Sequence, residues 1–187
     1  MVGSLVRRGV LGTANIGAKA VAPAIAGSVN GRLLAVASRS APKAEQYAER
    51  FGMERHYGSY QALLDDPDVD AVYIPLPNSL HHEWTIKALA AGKHVLCEKP
   101  LAMSAAECLD MHDAAEASGR LLMEAFMYRF HPRIAQARAI MASGRLGTIR
   151  LIRATFGFTV ADAANIRLRP DLGGGALMDV GCYCVDA

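Results

Sequence analysis

Between residues 6 and 126, short apolar runs alternate with stretches of helical period, and Gly or Pro punctuates most of the junctions. This is the signature of successive βαβ units. It predicts an α/β fold: a doubly wound parallel sheet of Rossmann type, with helices on both faces. Strands are expected at residues 6–11, 33–38, 55–57, 71–74, 94–97 and 121–126. Helices are expected at 19–27, where Pro23 sits near the start, and at 41–51, 60–64 and 82–91. A further helix should run to Ser118 from a capping box, in which Ser104 bonds the third helical N–H while Glu107 reaches back.

From residue 127 the character changes. Pro132 opens a helix that ends near Gly144. Residues 148–158 alternate polar and apolar, which predicts a half-buried strand. Residues 162–172 read as a loop, and Gly173-Gly174-Gly175 leads into a last helical stretch. The expected organisation is a dinucleotide-binding domain over 1–126. Residues 127–187 are then the beginning of an incomplete α+β substrate and dimerisation domain. A single strand without its sheet would leave the apolar side of 148–158 open to water and invite aggregation.

Composition excludes several classes. A net charge of +2 and 6% aromatic residues offer neither a basic nor a base-stacking surface, so no nucleic-acid partner is expected. No run of about 18 apolar residues exists to cross a membrane. Arg7-Arg8 before an apolar run mimics an export signal, but strand followed by glycine turn is the better reading, and the cytoplasm is the expected compartment. The four cysteines, Cys97, Cys108, Cys182 and Cys184, form no C-x-x-C pair. They read as free thiols, and no metal site is expected.

The chemistry concentrates at the carboxyl ends of the expected strands. Gly12-Thr13-Ala14-Asn15-Ile16-Gly17 lies between the first strand and the first helix, with alanine at the middle position of a G-x-G-x-x-G fingerprint. Gly12 permits the tight turn, Gly17 permits close packing, and the helix N-terminus offers N–H groups to a pyrophosphate. The second strand ends in Ser38-Arg39-Ser40. NAD-binding chains usually carry Asp or Glu there. Arg39 instead suits a 2′-phosphate, so NADP is the expected cofactor and NAD the second candidate. The fourth strand ends in Pro75-Leu76-Pro77-Asn78, with His81 and His82 close behind. The fifth ends in Glu98-Lys99-Pro100, so Lys99 falls near the nicotinamide, where it could exchange a proton with a substrate hydroxyl. The proline after Lys99 also motivates a cis peptide bond.

The glycine turn, Glu98-Lys99-Pro100 and Asp179-Val180-Gly181-Cys182-Tyr183 together resemble the Gfo/Idh/MocA oxidoreductase family. The segments Glu124 to Pro132 and Gly173 to Asp179 resemble one branch of it, which includes dimeric dihydrodiol dehydrogenase and NADP-dependent D-xylose 1-dehydrogenase. The resemblance implies that Lys99 or Tyr183 is the general acid/base and that Asp179, four residues before Tyr183, orients it or the substrate. It also places Met127 and Arg167 at the nicotinamide end, although Ile166 stands where the branch suggests tryptophan. The implied activity is NADP-dependent hydride transfer at aldose C1 or a related diol, by a homodimer when full-length. The rivals are an inactive fragment and a nonenzymatic nucleotide or sugar sensor on the same fold.

Overall fold

The computed structural model describes residues 5–187. Six strands form one parallel sheet in the order β3-β2-β1-β4-β5-β6: β1 (Val6–Leu11), β2 (Gly31–Ala37), β3 (Arg55–Tyr57), β4 (Ala71–Ile74), β5 (His94–Cys97) and β6 (Leu122–Glu124). The order reverses between β1 and β4, which opens a crevice at their carboxyl ends. The Rossmann-type expectation is therefore met.

Both sheet faces are covered, and that explains why the strands are apolar without interruption. Along β4, Val72 and Ile74 enter one core with Leu11, Leu63 and Leu89, while Tyr73 enters the other with Val10, Val36 and Tyr47. The first core lies under α3 (Tyr60–Leu64), α4 (His81–Ala90) and α5 (Ala105–Ser118). The second lies under α1 (Ala22–Ala26) and α2 (Ala41–Phe51). Burying a side chain of this size contributes about 1.5–3 kcal/mol.

Local departures have local causes. Helical structure begins at Asn15, earlier than expected, and runs through a π-helical stretch, Gly17–Val21, before Pro23 enters near the start of α1. Ser104 Oγ accepts the Glu107 N–H at 3.2 Å as a cap should, but the Glu107 carboxylate accepts from the Met103 N–H at 2.8 Å rather than from Ser104. The Lys99–Pro100 bond is cis.

Beyond α6 (Pro132–Ala142) the expected strand over 148–158 is not formed. Its alternation supplies an apolar side, but a strand is defined by a partner, and among the described residues none pairs with it. Leu151, Ile152, Phe156 and Phe158 are accordingly exposed. The loop at 162–172 contains two single 3₁₀ turns, Ile166–Leu168 and Pro170–Leu172. The last stretch is π-helical over Leu177–Gly181 and then α-helical in α7 (Cys182–Asp186).

The amino ends of the strands are tied by ions. Arg7 on β1 bonds both Asp70 oxygens at 2.8 and 3.0 Å and Asp68 at 2.8 Å. Arg55 on β3 takes both Asp66 oxygens at 2.7 and 2.8 Å and Asp68 at 2.7 Å. Buried Lys93 donates to the carbonyls of Asp66 and Val69 at 2.6 and 2.8 Å. Burial works against ionised Asp66, but hydrogen bonds from Arg55, the Asp68 amide and Tyr57 outweigh it, and its pKa lies below the ordinary value.

Asp66→Asn should therefore lower the unfolding free energy by about 2 kcal/mol at neutral pH, the scale of charge-assisted hydrogen bonds to partners that water also reaches. Because the folded pKa is depressed, this stabilisation is complete above the ordinary carboxylate range and is lost as pH falls through the folded value. Urea melts of both chains should therefore converge on acidification; equal midpoints at neutral pH would refute the assignment.

Candidate active site

Two groups of side chains meet at the carboxyl end of the sheet. The first surrounds a cleft of about 520 Å³ at the β1/β4 switch point, lined by Gly12, Thr13, Ala14, Ser38, Arg39, Pro75, Leu76 and Pro77. All of these are expected from sequence. Ser40, Lys43 and Tyr60 also line it and are not. A signal for Lys43 exists: it sits in the first turn of α2, directly after the selector segment. Tyr60 is buried and comes from α3, and nothing in its local sequence points toward β2.

The cleft fits a dinucleotide. Gly12 has φ +115°, a conformation that L side chains rarely adopt, and it brings the backbone round from β1 into the helix. Gly17 packs beneath Tyr47 and Tyr73. Asn15 and Ile16 are exposed at the start of the helix, whose first N–H groups have no intrahelical acceptors. At the far end, Ser38 Oγ accepts the Ser40 N–H at 3.2 Å, and Arg39 is exposed. Two cationic side chains and two hydroxyls thus face one end of the cleft, and no carboxylate lines it.

The second group forms around Lys99. Its ammonium donates to the Asp179 carbonyl at 2.5 Å and to Asp179 Oδ1 at 3.3 Å, with both side chains about 15% exposed. Arg167 Nε donates to the other Asp179 oxygen at 2.9 Å. Lys99 Nζ lies 5.0 Å over the Tyr183 ring. The Tyr183 hydroxyl donates to Met127 Sδ at 3.4 Å, and its ring stands edge-on to Phe126 and Phe156 at 5.3 and 5.5 Å. Burial, with Glu98 and Asp179 nearby, pushes the Tyr183 hydroxyl up to about 12. A phenol held there stays protonated at neutral pH.

The spacing of Asp179 and Tyr183 suggests that the two meet on one α-helical face. Lys99 joins the two, bonding Asp179 and lying over the Tyr183 ring, and the stretch over Leu177–Gly181 is π-helical. The turn before it is set by glycine: an added Cβ on Gly174 would fall 2.7–2.8 Å from the carbonyls of Ile166, Arg167 and Arg169.

Other expected cofactor contacts have different partners. His81 is fully buried, which is at odds with direct contact to a nucleotide. Glu98 accepts the Tyr73 hydroxyl at 2.6 Å, anchoring β5 to β4. The Asn78 amide donates to the Gly173 carbonyl at 2.8 Å. Arg167, expected beside the nicotinamide, is engaged by Asp179.

A parallel sheet with a glycine turn at its switch point is the arrangement in which open α/β folds bind dinucleotides. Residues 6–126 match the family described as Oxidoreductase family, NAD-binding Rossmann fold, and residues 134–187 match the GFO/IDH/MocA C-terminal domain. The chain belongs to the Gfo/Idh/MocA family. It is 50% identical over 180 residues to D-xylose 1-dehydrogenase (NADP(+)) 2 of Haloferax volcanii, covering 96% of this chain and 55% of the relative. It is 38% identical to trans-1,2-dihydrobenzene-1,2-diol dehydrogenase of Xenopus tropicalis, covering 84% and 48%. Among solved structures, a 3-ketoreductase from Actinomadura kijaniata in complex with NADP and TDP-benzene superposes with a TM-score of 0.91 at 42% identity, covering 96% and 55%. The chain thus spans about half the length of these relatives. No helix among the described residues is long and apolar enough to cross a membrane.

A difference titration of tyrosine absorbance, wild type minus Tyr183→Phe, should show a group ionising near pH 12. A difference midpoint at the ordinary tyrosine value would mean that the ring is not held in this apolar cluster.

Proposed function

We propose that this chain supplies the cofactor and proton-handling site of an NADP-dependent oxidoreductase acting on a sugar or related diol. The observation that carries the reading is Lys99, held by Asp179 at the strand end next to the cleft. The dinucleotide, when bound, gives or takes a hydride at nicotinamide C4. The turn from Gly12 to Gly17 would cradle its pyrophosphate. Arg39, with Ser38, Ser40 and Lys43, would take the 2′-phosphate through charge-assisted hydrogen bonds that an unphosphorylated ribose cannot use.

Asp179, itself held by Arg167, fixes the Lys99 ammonium. Tyr183, protonated at neutral pH, is suited to donate its hydroxyl proton to a substrate oxygen as carbonyl becomes alcohol, and Lys99 over its ring steadies the negative charge left on the phenolate. The reverse direction needs a deprotonated base and should speed up with pH. Aldose C1 is the favoured substrate position, supported by the similarity to the xylose dehydrogenase. A protein of the relatives' length is expected to act as a homodimer.

Nicotinamide fluorescence should show NADPH binding this chain at least about tenfold more tightly than NADH, one charge-assisted contact being worth that much. Arg39→Ala should remove most of the difference while leaving NADH affinity unchanged. A folded chain that binds neither nucleotide would sink the reading, and equal affinities would sink the Arg39 assignment. With cofactor bound, nicotinamide absorbance in the presence of aldoses or diols tests the reaction itself.

A further inference from the structure

His81 is the first residue of α4, and its side chain is wholly buried. Its Nδ1 lies 2.8 Å from the Pro100 carbonyl oxygen and its Nε2 lies 2.9 Å from that of Leu76. Carbonyl oxygens only accept. A neutral imidazole has one N–H and one lone pair, so it can satisfy one of these contacts and would turn a lone pair against the other. Two short contacts to two acceptors are the geometry of a ring with a proton on each nitrogen.

The two carbonyls belong to the two halves of the site. Leu76 lines the cleft, and Pro100 comes directly after Lys99. We propose that His81 is a positioning residue: its doubly protonated ring clamps the cleft wall at Leu76 to the turn that carries Lys99. It touches neither substrate nor cofactor and acts through its two neighbours. The functional consequence rests on the proposed dinucleotide binding; the clamp itself does not.

The charged groups that bear on the ring both come from the end of β5: Glu98 favours the cation and Lys99 opposes it. The β4 side presents a carbonyl. On α4 itself Glu83 is paired with Lys87, and the α5 carboxylate that touches α4, Asp110, lies against His82. Burial lowers the ring's pKa from its ordinary value, so the two-pronged form belongs to the acid side. Raising pH removes one proton, releases one carbonyl, and loosens the wall against the lysine turn. Nucleotide affinity should then fall with rising pH across the titration of this ring.

The test uses the whole chain with ring-¹⁵N histidine, tracked by NMR from the acid limit of folding up to about pH 8, a range that reaches below the ordinary imidazole value, where a lowered pKa must lie. NADPH dissociation constants are measured over the same window for wild type, His81→Gln and His81→Leu. One of the six histidines should show two protonated nitrogens with slow proton exchange at the acid end. The NADPH constant should rise as that ring loses a proton. His81→Leu, which has no donor, should bind about tenfold more weakly, the scale of one net hydrogen bond, and should lose the pH dependence. His81→Gln keeps an amide donor for one carbonyl and should recover part of the affinity. A His81 ring with one bare nitrogen at every pH where the chain is folded would overturn the proposal. So would a folded His81→Leu chain with wild-type affinity and pH dependence. If His81→Leu does not fold, the glutamine variant and the wild-type spectra decide. If wild type binds no NADPH, the cofactor reading fails while the ring spectra still decide the clamp.

Discussion

The structure turns on one ion pair that closes across 80 residues: Lys99 at the end of β5 against Asp179 in the final helical stretch. Both side chains are largely withdrawn from water, where an unpaired charge is costly, so each needs the other in place. Lys99 also takes the Asp179 carbonyl, and Arg167 takes the second carboxylate oxygen. Both carboxylate oxygens are thereby engaged, and the group sits between two cations. The consequence of this pairing is position: the ammonium bonded to Asp179 lies 5.0 Å over the Tyr183 ring. The aromatic surroundings keep water from the phenol, which is why its proton is bound more tightly than in an ordinary tyrosine.

The two ends of the sheet put charge to different uses. At the amino ends, Arg7, Arg55 and Lys93 are matched by Asp66, Asp68, Asp70 and backbone carbonyls. That network closes on itself and fastens β1, β3 and β5 to the segment leading into β4. At the carboxyl ends, cations gather on the cleft without carboxylates beside them. A charge surrounded by partners stabilises the fold, whereas cations collected at one end of a cleft are available to an anion. The difference separates Arg7, in the expected strand but structural, from Arg39, at the expected strand end and open to the cleft.

Much of this is legible in the chain. The alternation of apolar runs sets the sheet, because strands buried on both faces have no polar positions to spare. Gly12 is readable because it answers a local demand, a positive φ, and Arg39 because the end of the second strand is where the cleft opens. Tyr60 and the Tyr73–Glu98 bond are not readable, since both depend on which helix or strand end comes to lie beside another. His81 misleads for a related reason. Its place after β4 suggests a ligand contact, but only the packed structure shows two carbonyls facing its ring. The strand expected over 148–158 shows the complementary limit: alternation specifies a face, and the hydrogen bonds that make a strand belong to a neighbour.

What the Tyr183 side chain meets comes from distant parts of the chain: Met127 at its hydroxyl, Phe126 and Phe156 edge-on to its ring, and Lys99 over its face. Residues four apart share a helix face, and Asp179 and Tyr183 both meet Lys99. A carboxylate bonded directly to the phenol would accept its proton; the hydroxyl donates instead to Met127 Sδ. The Lys99 cation lies over the ring, yet burial, with Glu98 and Asp179 nearby, holds the phenol's proton more tightly than in an ordinary tyrosine. Single π turns inside helices often occur at functional sites, and the one over Leu177–Gly181 lies in the stretch that carries Asp179 into its bond with Lys99.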